Sequence, residues 1–275
     1  MTEFLQYEFF RNALVGVIII SVAAAMIGTY IITRRLVAIS GGITHACFGG
    51  LGLGYFLGIN PILMAAVFAI ASAMGVEWMS HRVNVREDSA IAVVWSVGMA
   101  IGVLFVFLTP GYVPELNSFL FGNILTISRA DILAFAIFTA VLIVFFIAFY
   151  HKIVYCAFDP DFAMVIHLPV RLITYTMTVF VAVCIVLTIR LVGVMLLMSM
   201  LSLPMMSAEI YFRRFRSMVL ASVVISLVCS VSGLVIGAMV DVPCSTIIVM
   251  IMVGVYALMR LLKPLISRKK INFVP

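Results

Sequence analysis

Apolar residues in this chain run in long blocks with short polar breaks, without the two-residue alternation of a half-buried strand. Nine blocks can be marked, near 12–33, 42–58, 61–80, 89–109, 131–150, 172–189, 191–210, 218–240 and 244–262. Most approach the ~20 helical residues that cross a hydrocarbon core. Only Arg190 and Gly193 separate the sixth block from the seventh, so eight spans with one broken or re-entrant helix is the alternative. A backbone in lipid must satisfy its own hydrogen bonds, which leaves helices or a closed barrel. Barrel strands would alternate, and these blocks do not. The pattern predicts an all-α, polytopic transmembrane helix bundle of 8–9 spans, a single domain over 1–275.

Composition supports that reading. The chain is 65% hydrophobic and only 10% charged, with mean hydropathy +1.29; soluble domains are nearer a quarter charged. The net charge of +6 follows loop position instead of gathering on one soluble face, so anionic lipid accounts for it and no nucleic acid is needed. Placing the C-terminus in the cytoplasm puts fourteen of the seventeen lysines and arginines on that side, leaving only Arg11, Arg129 and Arg190 opposite; this is the arrangement that the positive-inside rule favours. Nine spans then place the N-terminus outside. Residues 1–11 carry Glu3, Glu8 and one arginine, unlike the cationic start of a secretory signal, so the first block is expected to remain as a span. Cys47, Cys156, Cys184, Cys229 and Cys244 are scattered without a C-x-x-C pair and read as small buried hydrophobes.

Several activities are excluded. No G-x-x-x-x-G-K-[ST] phosphate loop occurs, so nucleotide hydrolysis by that device is absent. Neither a Ser/His/Asp set nor an HExxH motif is evident. Transport is the better class, with energy from an ion gradient or a separate ATPase chain. An ion-coupled secondary transporter buries carboxylates mid-span for its coupling ion; here only Glu77 lies inside a block away from its ends. A scaffolding protein would not need a histidine in a glycine-lined helix.

That histidine is His45. At 100° per residue Gly41, His45 and Gly49 share one stripe, with Gly52 close by, while Gly50, Gly54 and Gly58 form a second. Small residues let helices approach, so this helix belongs in the interior. An imidazole there is either a ligand on a transport path or a neutral ring bonded to a neighbouring carbonyl, and spacing leaves both open. His81 and His151, at basic block ends, and His167, in a polar loop, read as solvated residues. Gly98/Gly102 and Gly233/Gly237 repeat a helix-packing spacing. Two stretches resemble docking surfaces: Phe158–Ala163 followed by His167–Arg171, a short helix between breakers, and Ser207–Arg216, an amphipathic continuation of a span after Pro204. By its physics alone the second stretch would rest on lipid headgroups.

Taken in order, these pieces resemble the permease subunits of ABC importers for zinc, manganese and iron(II), over essentially the whole chain. The matching segments are Arg34-Arg35-Leu36, Ser40-Gly41-Gly42-Ile43-Thr44-His45-Ala46, Glu87-Asp88-Ser89-Ala90-Ile91-Ala92, Phe119–Leu125, Phe158–Ala163, Leu168–Arg171, Arg190–Val194 with Leu203-Pro204, and Asp241-Val242-Pro243. The resemblance implies a homodimeric permease of the bacterial inner membrane, two cytoplasmic ATPase subunits and an extracytoplasmic metal-binding protein. No cofactor is held permanently; the divalent metal is cargo. His45 stands at the family's histidine, with Thr44 beside it as a further metal-path residue, while Gly41 stands where the family carries an aspartate. A path of imidazoles without carboxylate suits zinc better than manganese. Ser207, Ala208, Glu209, Tyr211, Phe212, Arg213 and Arg214 match the part that contacts the ATPase, which the resemblance sets above the headgroup reading.

Overall fold

The structure is a computed structural model that describes residues 6–111, 122, 124, 127–240 and 242–271, with side chains as far as 263. Of the segment Phe119–Leu125 only Gly122 and Ile124 fall within it. Asp241 and the side chains of Arg268, Lys269 and Lys270 lie outside the described residues.

The described chain is helical throughout: α1 Glu8–Thr33, α2 Val37–Leu57, α3 Pro61–Val83, α4 Glu87–Leu108, α5 Arg129–Ala148, α6 Tyr150–Phe158, α7 Pro160–Val165, α8 Val170–Glu209, α9 Phe215–Val240 and α10 Cys244–Ile271. Eight of them, all but α6 and α7, are long and apolar enough to cross a membrane. Local chemistry sets their starts. Asn60 accepts from the N–H groups of Ile62 and Leu63, with Pro61 opening α3 where no N–H is needed. Ser128 and Asp131 close a capping box on α5, and Asp159 caps α7 ahead of Pro160. α2 ends on Gly58 in the left-handed conformation.

The sixth and seventh blocks form a single element, α8, 40 residues long. At 1.5 Å per residue it would extend ~60 Å, twice a hydrocarbon core. It does not run straight, because Gly193 leaves helical space at φ 78°, ψ 171°, a backbone state close to glycine-only. Gly122 packs against the backbone of Val192 and Gly193 at this break. The ends of α8 show that the chain turns back there. Arg190 pairs with Asp131 at 3.0 Å, at the end of the bundle where Arg129 meets Glu8 at 2.7 Å. Thr178, before the break, bonds Glu77, which is paired with Arg34. Glu209, after it, lines a cavity with that same Arg34. Among the described residues eight long apolar helices therefore make nine passages, and the start of α1 lies at the opposite end of the bundle from Met259 of α10, which meets Tyr211. Both sequence readings hold in part: eight helices, one of them broken.

α1, α2 and α8 are the most buried long helices, while α4 and α10 present most of their surface outward. Glycines set the closest approaches. A Cβ on Gly49 would lie 2.7 Å from the carbonyl of Gly98, and one on Gly52 would lie 2.5 Å from that of Gly102. The two stripes of α2 thus have different neighbours: Gly49 and Gly52 face α4, whereas Gly50 and Gly54 face Met64, Ala65 and Pro61 of α3. Gly233 and Gly237 pack α9 on Ile248 and Cys244 of α10. All five cysteines are free and buried.

One expectation is corrected. Ser207–Arg216 is not a continuous amphipathic helix, because α8 ends at Glu209 and α9 begins at Phe215. The N–H groups of Tyr211 and Phe212 still reach Ala208, but residues 210–214 are turn and coil. Burial of Phe215 against Tyr150 and Phe158 anchors the start of the next helix.

Candidate functional site

His45 sits on α2, and its imidazole lies flat against the indole of Trp95 on α4. The ring centroids are 4.4 Å apart and the planes 9° apart. Glycine packing of α2 on α4 brings the two helices close enough for this. His45 is half-buried and Trp95 is 39% exposed, so the pair is open on one side. No described residue hydrogen-bonds the imidazole. A Cβ on Gly41, one turn before His45, would meet Met198 Cε at 3.0 Å and Trp95 Cζ3 at 3.5 Å, so a thioether and an indole occupy the surroundings of that position. Thr44 is fully buried, and its hydroxyl donates to the Ser40 carbonyl at 2.6 Å. Among the described residues no group of three or more His, Cys, Asp or Glu is placed to hold a metal ion. One chain thus supplies one imidazole at this site, with no described residue bonded to its nitrogen-bearing edge.

A second polar constellation lies at the end of the bundle that carries Arg34, Arg35, Arg82 and Arg86. Arg34, just past α1, donates from Nη1 to Glu77 Oε1 at 2.9 Å and from Nη2 to Glu87 Oε1 at 2.8 Å. Its Nη1 also reaches the Tyr30 hydroxyl at 3.3 Å. Burial alone would lower the Arg34 pKa, but the surrounding Tyr30, Glu77 and Glu87 raise it, so the guanidinium stays charged. Glu77 Oε1 also accepts from Thr178 at 2.8 Å. Glu77 Oε2 has no aligned donor, and His81 Nε2 lies 3.2 Å from it. The single mid-block carboxylate is therefore committed to an internal ion pair. His81, His151 and His167 are all exposed, as expected of solvated residues, although His81 also reaches Glu77 from one turn along α3.

The stretch from Ser207 to Arg214 divides by burial. Ser207 and Ala208 face inward, the first bonded to the Leu203 carbonyl. Glu209, Tyr211, Phe212, Arg213 and Arg214 are exposed. Glu209, Phe212 and Arg213 line a cavity of about 490 Å³ with Arg34, Glu87, Phe158 and Pro160. Glu209 and Arg213 also border a second, of about 250 Å³, with Tyr256, Arg260 and Lys263. Tyr211 ties the loop to α10 through the Met259 carbonyl at 2.9 Å. α7 and the α8–α9 loop thus share one face, which neither motif alone revealed.

Trp95, Met198 and Arg34 were not singled out as site residues from the sequence. For Trp95 a signal existed, because Trp95, Gly98 and Gly102 follow i, i+3, i+7 spacing on one face of α4. Glu77 and His81 likewise stand one turn apart. Met198 had no comparable signal.

A polytopic bundle of long apolar helices packed around a glycine-rich helix is the architecture of an integral membrane protein. Residues 6–263 match the ABC 3 transport family, and the chain belongs to it. In this family the permease is one subunit and the ATPase a separate component. A probable metal transport system membrane protein of Chlamydia pneumoniae is 35% identical over 238 residues, covering 84% of this chain and 81% of that one. A manganese transport system membrane protein of Halalkalibacterium halodurans is 26% identical over 259 residues, covering 93% and 88%. In the solved structures, PsaBC from Streptococcus pneumoniae in complex with Fab matches at TM-score 0.81 and 26% identity, over 94% of each chain. An inward-facing putative metal-chelate type ABC transporter matches at TM-score 0.72 and 12% identity, which shows the shared fold.

Proposed function

We propose that this chain is the membrane permease of an ATP-driven importer of divalent metal, with zinc the preferred cargo and His45 its ligand on the path. The observation that carries the reading is the imidazole of His45, hydrogen-bonded by no described residue, on an interior, glycine-packed helix, in a chain whose relatives are named for metal transport. One imidazole cannot satisfy a cation, so two copies of the chain meet and present a pair, with water completing the shell; Thr44, buried and bonded to the Ser40 carbonyl, supports the helix beside it. The basic end faces the cytoplasm, as the positive-inside rule favours. There Glu209, Tyr211, Phe212, Arg213 and Arg214 receive the ATPase, Ser207 and Ala208 support them from inside, and an extracytoplasmic protein delivers the metal at the other end. Burial of Glu77 against Arg34 commits the one carboxylate that lies mid-span among the described residues, which argues against its carrying a coupling proton.

Zinc is favoured because imidazole nitrogen suits it, whereas manganese prefers carboxylate, carbonyl and water oxygens. The names of relatives from Halalkalibacterium and Listeria support manganese as the second reading. Uptake into proteoliposomes, with the ATPase and binding protein supplied, tests both at matched free-metal concentration. Zinc should accumulate only with ATP, and His45→Gln should abolish it while leaving the folded yield unchanged. Normal transport by the glutamine variant would make His45 a packing residue, and preferential manganese uptake would establish the second reading.

A further inference from the structure

We propose that Trp95 is the positioning residue of the transport site, holding the His45 ring by its face so that its nitrogen edge stays free for the metal. This inference rests on the reading of His45 as a metal ligand. A histidine binds metal in the plane of its ring, through a nitrogen lone pair. A hydrogen-bond partner would orient the ring but occupy one of its nitrogens. A flat neighbour orients the ring and occupies neither. With planes 9° apart and centroids at 4.4 Å, Trp95 is such a neighbour, and no described residue competes for either nitrogen. Metal-ligating histidines are usually fixed by a second-shell hydrogen bond; here stacking takes that role.

The surroundings favour the same assignment. Met198 Cε and Trp95 Cζ3 lie 3.0 and 3.5 Å from where a Cβ on Gly41 would stand, so an indole and a thioether fill the space beside Gly41, one turn before the ring. Trp95 also lies on the face of α4 that carries Gly98 and Gly102, the two glycines that clasp α2. The helix contact that buries the glycines therefore sets the ring separation. An indole face interacts favourably with positive charge, so the same side chain tolerates the cation that its partner binds.

The chain contains only two tryptophans. Trp78 is on α3 and exposed, so Trp78→Phe leaves Trp95 as the sole indole, in contact with the ring under test. In the full-length permease carrying Trp78→Phe, zinc chloride should change the Trp95 emission in a saturable way, and adding His45→Gln should remove the response. In the reconstituted complex, Trp95→Leu should raise the zinc KM by roughly three- to tenfold, the scale of one aromatic pair. Trp95→Phe, which keeps a flat face, should stay within about twofold of the parent. A merely structural role would affect yield and maximal rate without this split or its rescue. If Trp95→Leu does not fold, the emission response and the phenylalanine variant decide the matter. Loss of uptake in His45→Gln with an unchanged KM in Trp95→Leu, or with Trp95 emission blind to zinc, overturns the role of Trp95 alone. Normal uptake by His45→Gln overturns that role and the reading beneath it together.

Discussion

Arg34 Nη1 donates to Glu77 Oε1 at 2.9 Å, joining the loop after α1 to the interior of α3 across 43 positions of chain. Both side chains are almost fully withdrawn from solvent, and Glu87 and Thr178 bring α4 and α8 to the same pair. A buried ion pair is weak evidence of net stability, but removing one partner strands the other charge. Glu87 stays on Arg34, so Glu77→Ala should lower the stability of the purified permease by less than the ~3–5 kcal/mol of a fully stranded charge. Thermal unfolding in detergent, against Glu77→Gln as the milder control, checks this. A wild-type midpoint for Glu77→Ala would mean that solvent or lipid headgroups reach Arg34.

Close packing of α2 on α4 sets a second expectation. Gly49→Leu should prevent assembly of a folded permease, because the added atoms would fall within 2.7 Å of the Gly98 backbone, which cannot move aside like a flexible side chain. Gly75→Ala, with nothing within 4 Å of the new Cβ, should be tolerated and is the matched control. Monodispersity on size exclusion separates the two, and equal profiles would refute the account of the glycine stripe.

Charge reversal at Arg213 and Arg214 should weaken retention of the ATPase subunit on copurification. It should leave zinc binding by the permease unchanged, since these arginines lie at the basic end and His45 within α2. Insertion must be verified in the same samples, because arginines at a span end also set topology. An intact, fully active complex from the double variant would return this loop to a headgroup contact.

Gly41→Asp tests the choice of metal. The new Cβ would press on Met198 Cε at 3.0 Å, the far end of a flexible thioether, so the substitution should be accommodated by a small shift of that side chain. It adds an oxygen ligand and a negative charge per chain, which should move the zinc-to-manganese uptake ratio toward manganese by about tenfold or less, the scale of one ligand in a transit site. An unchanged ratio would show that position 41 does not tune selectivity.

The blocks themselves determined that this is a helical membrane protein, where most of its helices lie and which end is basic. Those features follow from chain-local quantities: ~20 apolar residues cross a hydrocarbon core wherever they occur, and loop charge is read residue by residue. They also placed α2 in the interior, because its glycines are legible as a stripe. Lateral arrangement is different in kind. Lipid is as apolar as leucine, so hydrophobicity says little about which helix packs beside which. Tertiary structure alone therefore decided that Gly49 faces α4 while Gly50 faces α3, and that Trp95 lies on His45. It also closed Glu77 onto Arg34, where the sequence showed only an isolated carboxylate. Gly193 marks the boundary between the two: the sequence offered one broken helix or two spans, and the positive φ at that residue, with Arg190 on Asp131 and Glu209 beside Arg34, turned the chain back.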